Sequence, residues 1–402
     1  MTQSTTRMPQ VPGFRASGIA CGLKTNGKKD LALILSETPA TAAGVFTKNR
    51  VQAASVILSR QTLKKSRPIR AVIVNSGNAN ACIGRQGMID CKFLIDRLAQ
   101  ELSISTQEIL IASTGVIGVP LPPNTLADGV PELVAKCSLK GWKNAAEAIM
   151  TTDLVPKTAA LNFTLGKNKI VMGGITKGSG MIHPNMGTML AFVQTNANIN
   201  AATLRQAIKE ANDASFNSIT VDGDTSTNDM FIVMANGQAK NPSIRKGSKE
   251  YARFVEALTE VSKSLAFQIV EDGEGATKFV TVSVTGAKTR NHAHKVATTV
   301  AKSSLVKTAI FGEDPNWGRI LCAVGYAGVP LNSEKIVIRL NQATLYKNGA
   351  PAKGASMESL RKKMQKKSIL ISIDLDSGKE SAEVYTCDLS YDYVRINAEY
   401  TS

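Results

Sequence analysis

Histidine is almost missing from this 402-residue chain, which has three, and aromatic residues make up only 5% of it. The first scarcity removes most histidine-based catalysis and most zinc chemistry. His292 and His294 in "RNHAHK" have no Cys or acidic neighbour and read as a solvated helix start. The second removes the stacking platforms that single-stranded nucleic acids require. No GxSxG elbow, HExxH or P-loop occurs, and "NSGNANACIGRQG" after the apolar "AVIV" lacks GxGxxG spacing, so it reads as a turn leading into a helix cap. The six cysteines include no CxxC pair and sit mostly among apolar residues, which favours reduced packing thiols over disulfides or metal. No run of about eighteen apolar residues is present and the N-terminal stretch lacks a secretory core segment, so a membrane helix is excluded and the expected location is the cytoplasm.

What is present is globular in composition: 43% hydrophobic and 20% charged, with 31 Gly and 14 Pro dispersed along the chain. The excess of 48 basic over 32 acidic residues gives a net charge of +16. The densest basic runs, "LKKSRPIR" and "LRKKMQKK", lie far apart and carry no interleaved aromatics, which suits a solvated surface or anionic metabolites better than nucleic acid. Strand-like runs include "DLALILSE", "AVIVNSG", "KIVMGGIT", "MLAFVQT", "MFIVMAN", "KFVTVSVTG", "KIVIRL" and "ILISIDL". Between them, "IDCKFLIDRLAQEL", "AATLRQAIKEANDASF", "KEYARFVEALTEVSKSLAFQIV" and "PNWGRILCAVGYA" space apolar residues three and four apart, as amphipathic helices do. The order follows no strict βαβ period. The fold class is therefore α+β, with mixed or antiparallel sheets layered with helices.

One stretch carries chemistry. "GSGMIHPNMGTMLAF" sets a glycine-laced loop against a threonine, Thr188, that opens an apolar strand. A threonine dispenses with histidine when it is the first residue of a chain, because its own α-amine, with a pKa of about 8, is the general base. Thr188 is internal, so cleavage of the Gly187–Thr188 bond would have to free it: its hydroxyl attacks the Gly187 carbonyl and water resolves the ester.

The chain resembles the ornithine acetyltransferase family, the glutamate N-acetyltransferases of the cyclic arginine pathway. The resemblance rests on "NSGNANAC", "ASTGVIGVPLP", "AIMTTD", "GGITKGSGMIHPNMGTMLAF", "TVDGDTSTND", "EDGEGATKF", "GEDPNWGRIL" and "INAEYTS", which occur in family order over almost the whole chain. It implies an N-terminal-nucleophile-like enzyme that cleaves itself into an α chain, 1–187, and a β chain, 188–402, associated as a heterotetramer of two of each. Gly187 stands where the family usually has alanine.

On the same resemblance, Thr188 is the nucleophile, and Thr114 and Gly115 in "ASTGVIG" are the oxyanion-hole pair, set in a tight turn. Taken alone, Ser-Thr-Gly is an ordinary loop. Lys177, Thr151, Glu274, Asn397 and Ser402, together with Thr188, match the substrate contacts: Lys177 for a carboxylate, Glu274 for a terminal amine. Read without the family, Lys177 is a solvated loop lysine, Glu274 a turn or cap, and Thr151 and its neighbour Thr152 are equal candidates for capping a helix end. Ser402 replaces the threonine that ends many relatives and keeps its hydroxyl. The implied reaction moves acetyl from N2-acetylornithine to glutamate through acetyl-Thr188 in arginine biosynthesis, with no metal or bound cofactor, and leaves open whether acetyl-CoA is a second donor. The competing readings are a self-processed amidase or aminopeptidase, which would hydrolyse without an amine acceptor, and a basic nucleic-acid binder, whose binding would be steeply salt-dependent.

Overall fold

The computed structural model describes Met8 and residues 10–183, 189–353 and 356–399. The Gly187–Thr188 bond and Ser402 therefore lie outside the described residues. The chain divides into two compact units, one of Met1–Asn217 with Asp224–Ile269, the other of Ser218–Gly223 with Val270–Thr401. The proposed cleavage bond falls inside the first unit, so chains split there would not coincide with the compact units.

The first unit holds β1 (Phe14–Ile19), β2 (Leu31–Phe46), β3 (Ile69–Asn78), β4 (Ile109–Val116), β5 (Lys157–Leu165), β6 (Asn168–Lys177), β7 (Leu190–Thr195) and β8 (Met230–Ala235), ordered β4-β3-β2-β8-β7-β6-β5 with β1 beside β2. Its helices are α1 (Ala54–Lys64), α2 (Gln86–Leu102), α3 (Pro123–Ala135), α4 (Trp142–Ala148), α5 (Ala201–Asp213) and most of α6 (Lys249–Glu271). β2 serves two half-sheets. Its Leu31–Leu35 part pairs with β3, its Thr41–Phe46 part with β8, and the ladder breaks between Leu35 and Ala40.

Side chains alternate across each strand, so the two half-sheets share one core: Val72, Val74, Leu110 and Ala112 from one, and Leu190, Phe192, Met230 and Ile232 from the other, all buried together with Trp142. The opposite face of β3 and β4, through Ala71, Ile73, Ile109 and Ile111, packs on Leu94, Leu98, Leu126 and Val130. α2 supplies this contact because Cys91, Leu94, Ile95, Leu98 and Ala99 fall on one helical stripe. α6 is fastened to β5 by the Gln268 amide, which accepts from Thr158 N at 3.1 Å and donates to Thr158 O at 3.0 Å.

The second unit is a six-stranded sheet, β12-β11-β10-β13-β9-β14, formed by β9 (Phe279–Ala287), β10 (Val337–Leu340), β11 (Ala343–Lys347), β12 (Ala350–Pro351), β13 (Ser368–Asp374) and β14 (Glu380–Cys387). α7 (Arg290–Lys302), α8 (Ser304–Phe311), α9 (Trp317–Gly325) and α10 (Met357–Met364) cover one face, meeting Val280, Val282 and Val284 of β9 and Ile369, Ile371 and Ile373 of β13. α7 opens where expected, at "RNHAHK": the Thr289 hydroxyl accepts from His292 N at 3.1 Å. α11 (Tyr391–Glu399) closes the described chain. The fold is α+β with layered sheets, as the element order indicated. All six cysteines are free thiols. Among the described residues no helix is long and apolar enough to cross a membrane.

Candidate active site

The expected turn at "ASTGVIG" is a strand end instead. Thr114 and Gly115 belong to β4, in parallel register with Ser76 and Gly77 of β3, and the ladder breaks directly after Gly77. At Gly115 φ is +133°, and a Cβ there would stand 2.3 Å from the Gly77 carbonyl carbon and 2.5 Å from Asn78 N. Backbone fills that space, so only glycine fits.

Lys177 ends β6, and the antiparallel register pairs it with Leu190, two positions after Thr188. Its Nζ donates to Thr114 Oγ1 at 3.2 Å, and both side chains are buried. The lysine expected as a loop residue is thus a strand residue held against the Thr114 hydroxyl.

Thr151 follows α4 and caps no helix; its N–H donates to Asp153 Oδ2 at 2.9 Å. Asp153 is the organiser of this region. Its Oδ1 accepts from Lys157 Nζ at 2.7 Å and from Gly178 N at 2.7 Å. Burial alone would raise this carboxyl, but the Lys157 and Lys177 ammoniums and the hydrogen bonds from Lys157 and Gly178 outweigh it and hold it at about 2.

Two further residues join the site, both from "TVDGDTSTND", to which the sequence alone assigned no role. The Asn228 amide donates to Ser113 O at 2.7 Å and Ala79 O at 2.6 Å, tying down the β4 end. Asp229 Oδ1 accepts from Met189 N at 3.0 Å, one residue past Thr188, while among the described residues its Oδ2 has no hydrogen-bond partner. Burial pushes the Asp229 carboxyl well above the usual carboxylate range, against the nearby Thr47 hydroxyl, the Met189 amide and the Lys177 ammonium. The signal available in the sequence was a polar Asn-Asp pair directly before the buried strand "MFIVMA".

Within the second unit, Asn397 Nδ2 donates to Glu274 Oε2 at 2.8 Å and to Tyr393 O at 2.9 Å. The "DGEGATK" loop is pinned to the segment before α11: Thr277 N and Lys278 N donate to Asp388 Oδ1 at 2.8 and 3.0 Å, and Ser390 Oγ donates to Gly275 O at 2.6 Å. The C-terminal helix is therefore tethered up to Asn397. Each unit gathers its own predicted residues: Thr114, Gly115, Thr151 and Lys177 in the first, Glu274 and Asn397 in the second.

A hydroxyl and an amide fixed at a strand end beside a buried ammonium are groups able to donate to a developing oxyanion. The sequence profile of the ArgJ family matches residues 15–402. "Arginine biosynthesis bifunctional protein ArgJ 1" of Nostoc sp. is 48% identical over 398 residues, covering 97% of this chain and 96% of the relative. The ArgJ protein of Geobacter sulfurreducens is 48% identical over 390 residues, covering 97% and 99%. A solved ArgJ chain from Bacillus halodurans is 45% identical with a TM-score of 0.51, over 53% of this chain and 100% of its own. This chain belongs to the ArgJ family, and it is an acyltransferase of arginine biosynthesis.

Proposed function

We propose that the chain transfers acetyl from N2-acetylornithine to glutamate through an ester on Thr188, after Thr188 has freed its own α-amine by cleaving the Gly187–Thr188 bond. The observation that carries this reading is the 3.2 Å contact of Lys177 with Thr114, beside the glycine-only position of Gly115. One cluster then contains a carboxylate-binding ammonium and two oxyanion donors, the Thr114 hydroxyl and the Gly115 amide. Thr188 attacks the acetyl carbonyl, its α-amine takes the hydroxyl proton, and ornithine leaves with that proton. Glutamate's amine attacks the ester in the second half. Lys177 binds the α-carboxylate common to both substrates, and the Glu274 carboxylate, steadied by Asn397, takes ornithine's terminal amine. Ser402 completes the substrate contacts with its hydroxyl.

Sheet order supports a cleaved yet united molecule. β7 and β8 would belong to the 188–402 chain but lie between β2 and β6 of the 1–187 chain, so the two fragments share one sheet. A fragment beginning at Thr188 has 402 − 187 = 215 residues, about 53% of the chain, which equals the share matched by the solved Bacillus halodurans chain. We assign the enzyme to the cytoplasm as a heterotetramer of two α and two β chains.

The test is incubation with N-acetylornithine, with and without glutamate. The reading requires ornithine release equal to enzyme before glutamate is added, an acetylated Thr188 peptide by mass spectrometry, and parallel double-reciprocal plots. Intersecting plots with no acetyl-peptide would overturn it.

A further inference from the structure

Lys24 is a half-buried lysine in the turn between β1 and β2, outside every residue assigned above. The carboxylate of Asp30 shapes this turn by accepting from four successive N–H groups, Cys21, Gly22, Leu23 and Lys24, at 2.6 to 3.2 Å. The Lys24 ammonium is fixed in turn: Nζ donates to Lys29 O at 2.7 Å and to Met150 O at 2.8 Å. Its stem lies over Gly77, with Cγ 3.3 Å from where a Cβ of that glycine would stand.

These contacts close a ring. Lys24 touches Met150, whose neighbour Thr151 donates to Asp153; Asp153 accepts from Gly178, the neighbour of Lys177; Lys177 donates to Thr114; and Gly115 is paired with Gly77, which Lys24 covers. Lys24 and Lys177 thus stand on one ring around the oxyanion donors. The ring's charges are three ammoniums, Lys24, Lys157 and Lys177, and two carboxylates, Asp30 and Asp153. Asp30 accepts from four amides and Asp153 from Lys157 and two amides, so among these five groups the ammoniums outnumber the carboxylates by one. Lys24 spends two of its three N–H donors on neutral carbonyls.

We propose that Lys24 is the second cation of the α-carboxylate clamp, acting with Lys177 on both the acetyl donor and the acetyl acceptor. The proposal rests on the substrate reading above and adds to it the residue that senses pH. Burial, with Lys177 and Lys28 nearby, lowers the Lys24 ammonium to about 8 against the pull of Asp30 and Asp153. The charged form is therefore lost above pH 8, and a bound carboxylate restores it.

The experiment is calorimetric binding of glutamate and of ornithine to purified wild type, Lys24→Met and Lys24→Arg between pH 7 and 9, with steady-state kinetics alongside. Expected are a glutamate Kd that rises roughly tenfold from pH 7 to 9 in wild type, a Kd about 10 to 100 times weaker in Lys24→Met at pH 7, and a pH-flat Kd in Lys24→Arg. KM should follow Kd, with kcat within about threefold of wild type. A mere tether between Lys29 and Met150 would not give the pH dependence or its loss in the arginine variant. Wild-type affinity in Lys24→Met, or a wild-type Kd that is flat with pH, would overturn the Lys24 assignment alone. Wild type that binds neither ligand would overturn the substrate reading along with it.

Discussion

Asp153→Asn isolates the carboxylate around which the first unit's site is arranged. Asp153 and Lys157 are paired at 2.7 Å with both side chains 0% exposed. Replacing the carboxylate by an amide keeps an acceptor for only one of the Thr151 and Gly178 amides, which bond to different oxygens, and leaves Lys157 with a buried, unbalanced charge, a change that costs about 3 to 5 kcal/mol. The lower end is expected here because Lys157 retains Val155 O at 3.3 Å. In a unit of this size, about 3 kcal/mol lowers the melting temperature by roughly 10 °C. The pH dependence carries a second signature. A carboxyl held from 3.8 down to about 2 contributes about 2 kcal/mol at neutral pH. Because the folded-state value is depressed, that stability is complete above pH 4 and lost as pH falls toward 2, about half of it by pH 3. Urea unfolding between pH 5 and 3 should therefore show wild type losing about 1 kcal/mol more than the variant. Adding Lys157→Met to Asp153→Asn should recover most of the loss, since it removes the buried, unbalanced ammonium. A single variant destabilised by less than about 1 kcal/mol, with the acid slope of wild type, would refute Asp153 as a paired, buried anion.

Gly115→Ala should lose about 2 to 4 kcal/mol and nearly all activity because its Cβ meets Gly77 and Asn78 backbone, whereas Gly118→Ala, with φ +80° and open space around it, should lose only about 1 kcal/mol; equal melting temperatures for the two would refute the close approach. Thr114→Val should keep the strand and reduce kcat by about 10² to 10³, read by single-turnover acetylation. On a denaturing gel the enzyme should run as fragments of 187 and 215 residues, the second beginning Thr-Met-Leu-Ala; Thr188→Ala should run as one inactive chain and Thr188→Ser should retain partial cleavage. A Thr188→Ala protein that still splits would mean that an outside protease cuts there. Glu274→Gln should slow mainly the ornithine half-reaction, measured as burst ornithine release, because glutamate presents no terminal amine to it.

Elements whose sequence shows a sustained apolar period were legible before folding was considered. "MLAFVQT" is β7, buried throughout, and "KEYARFVEALTEVSKSLAFQIV" is α6 almost to the residue. β5 was not legible. Its first residue is Lys157, which looks exposed in any pattern and is buried because Asp153 neutralises it. β1 was hidden similarly by small and polar residues, among them Ser17, whose buried hydroxyl donates to Leu133 O at 2.6 Å. The "ASTG" end of β4 reads as a turn because Ser-Thr-Gly is turn chemistry, although neighbouring β3 makes it a strand. The candidate residues divide the same way. The motifs by themselves determined the family, the nucleophile candidate and the names of Lys177, Thr114 and Glu274. Tertiary structure alone decided that Lys177 meets Thr114, 63 positions away, that Asp229 meets Met189, and that Lys24 shares their ring. The reason is one of range: apolar periodicity and turn chemistry act between near neighbours, whereas the partner of a buried charge is chosen by strand register and loop closure across the whole sheet.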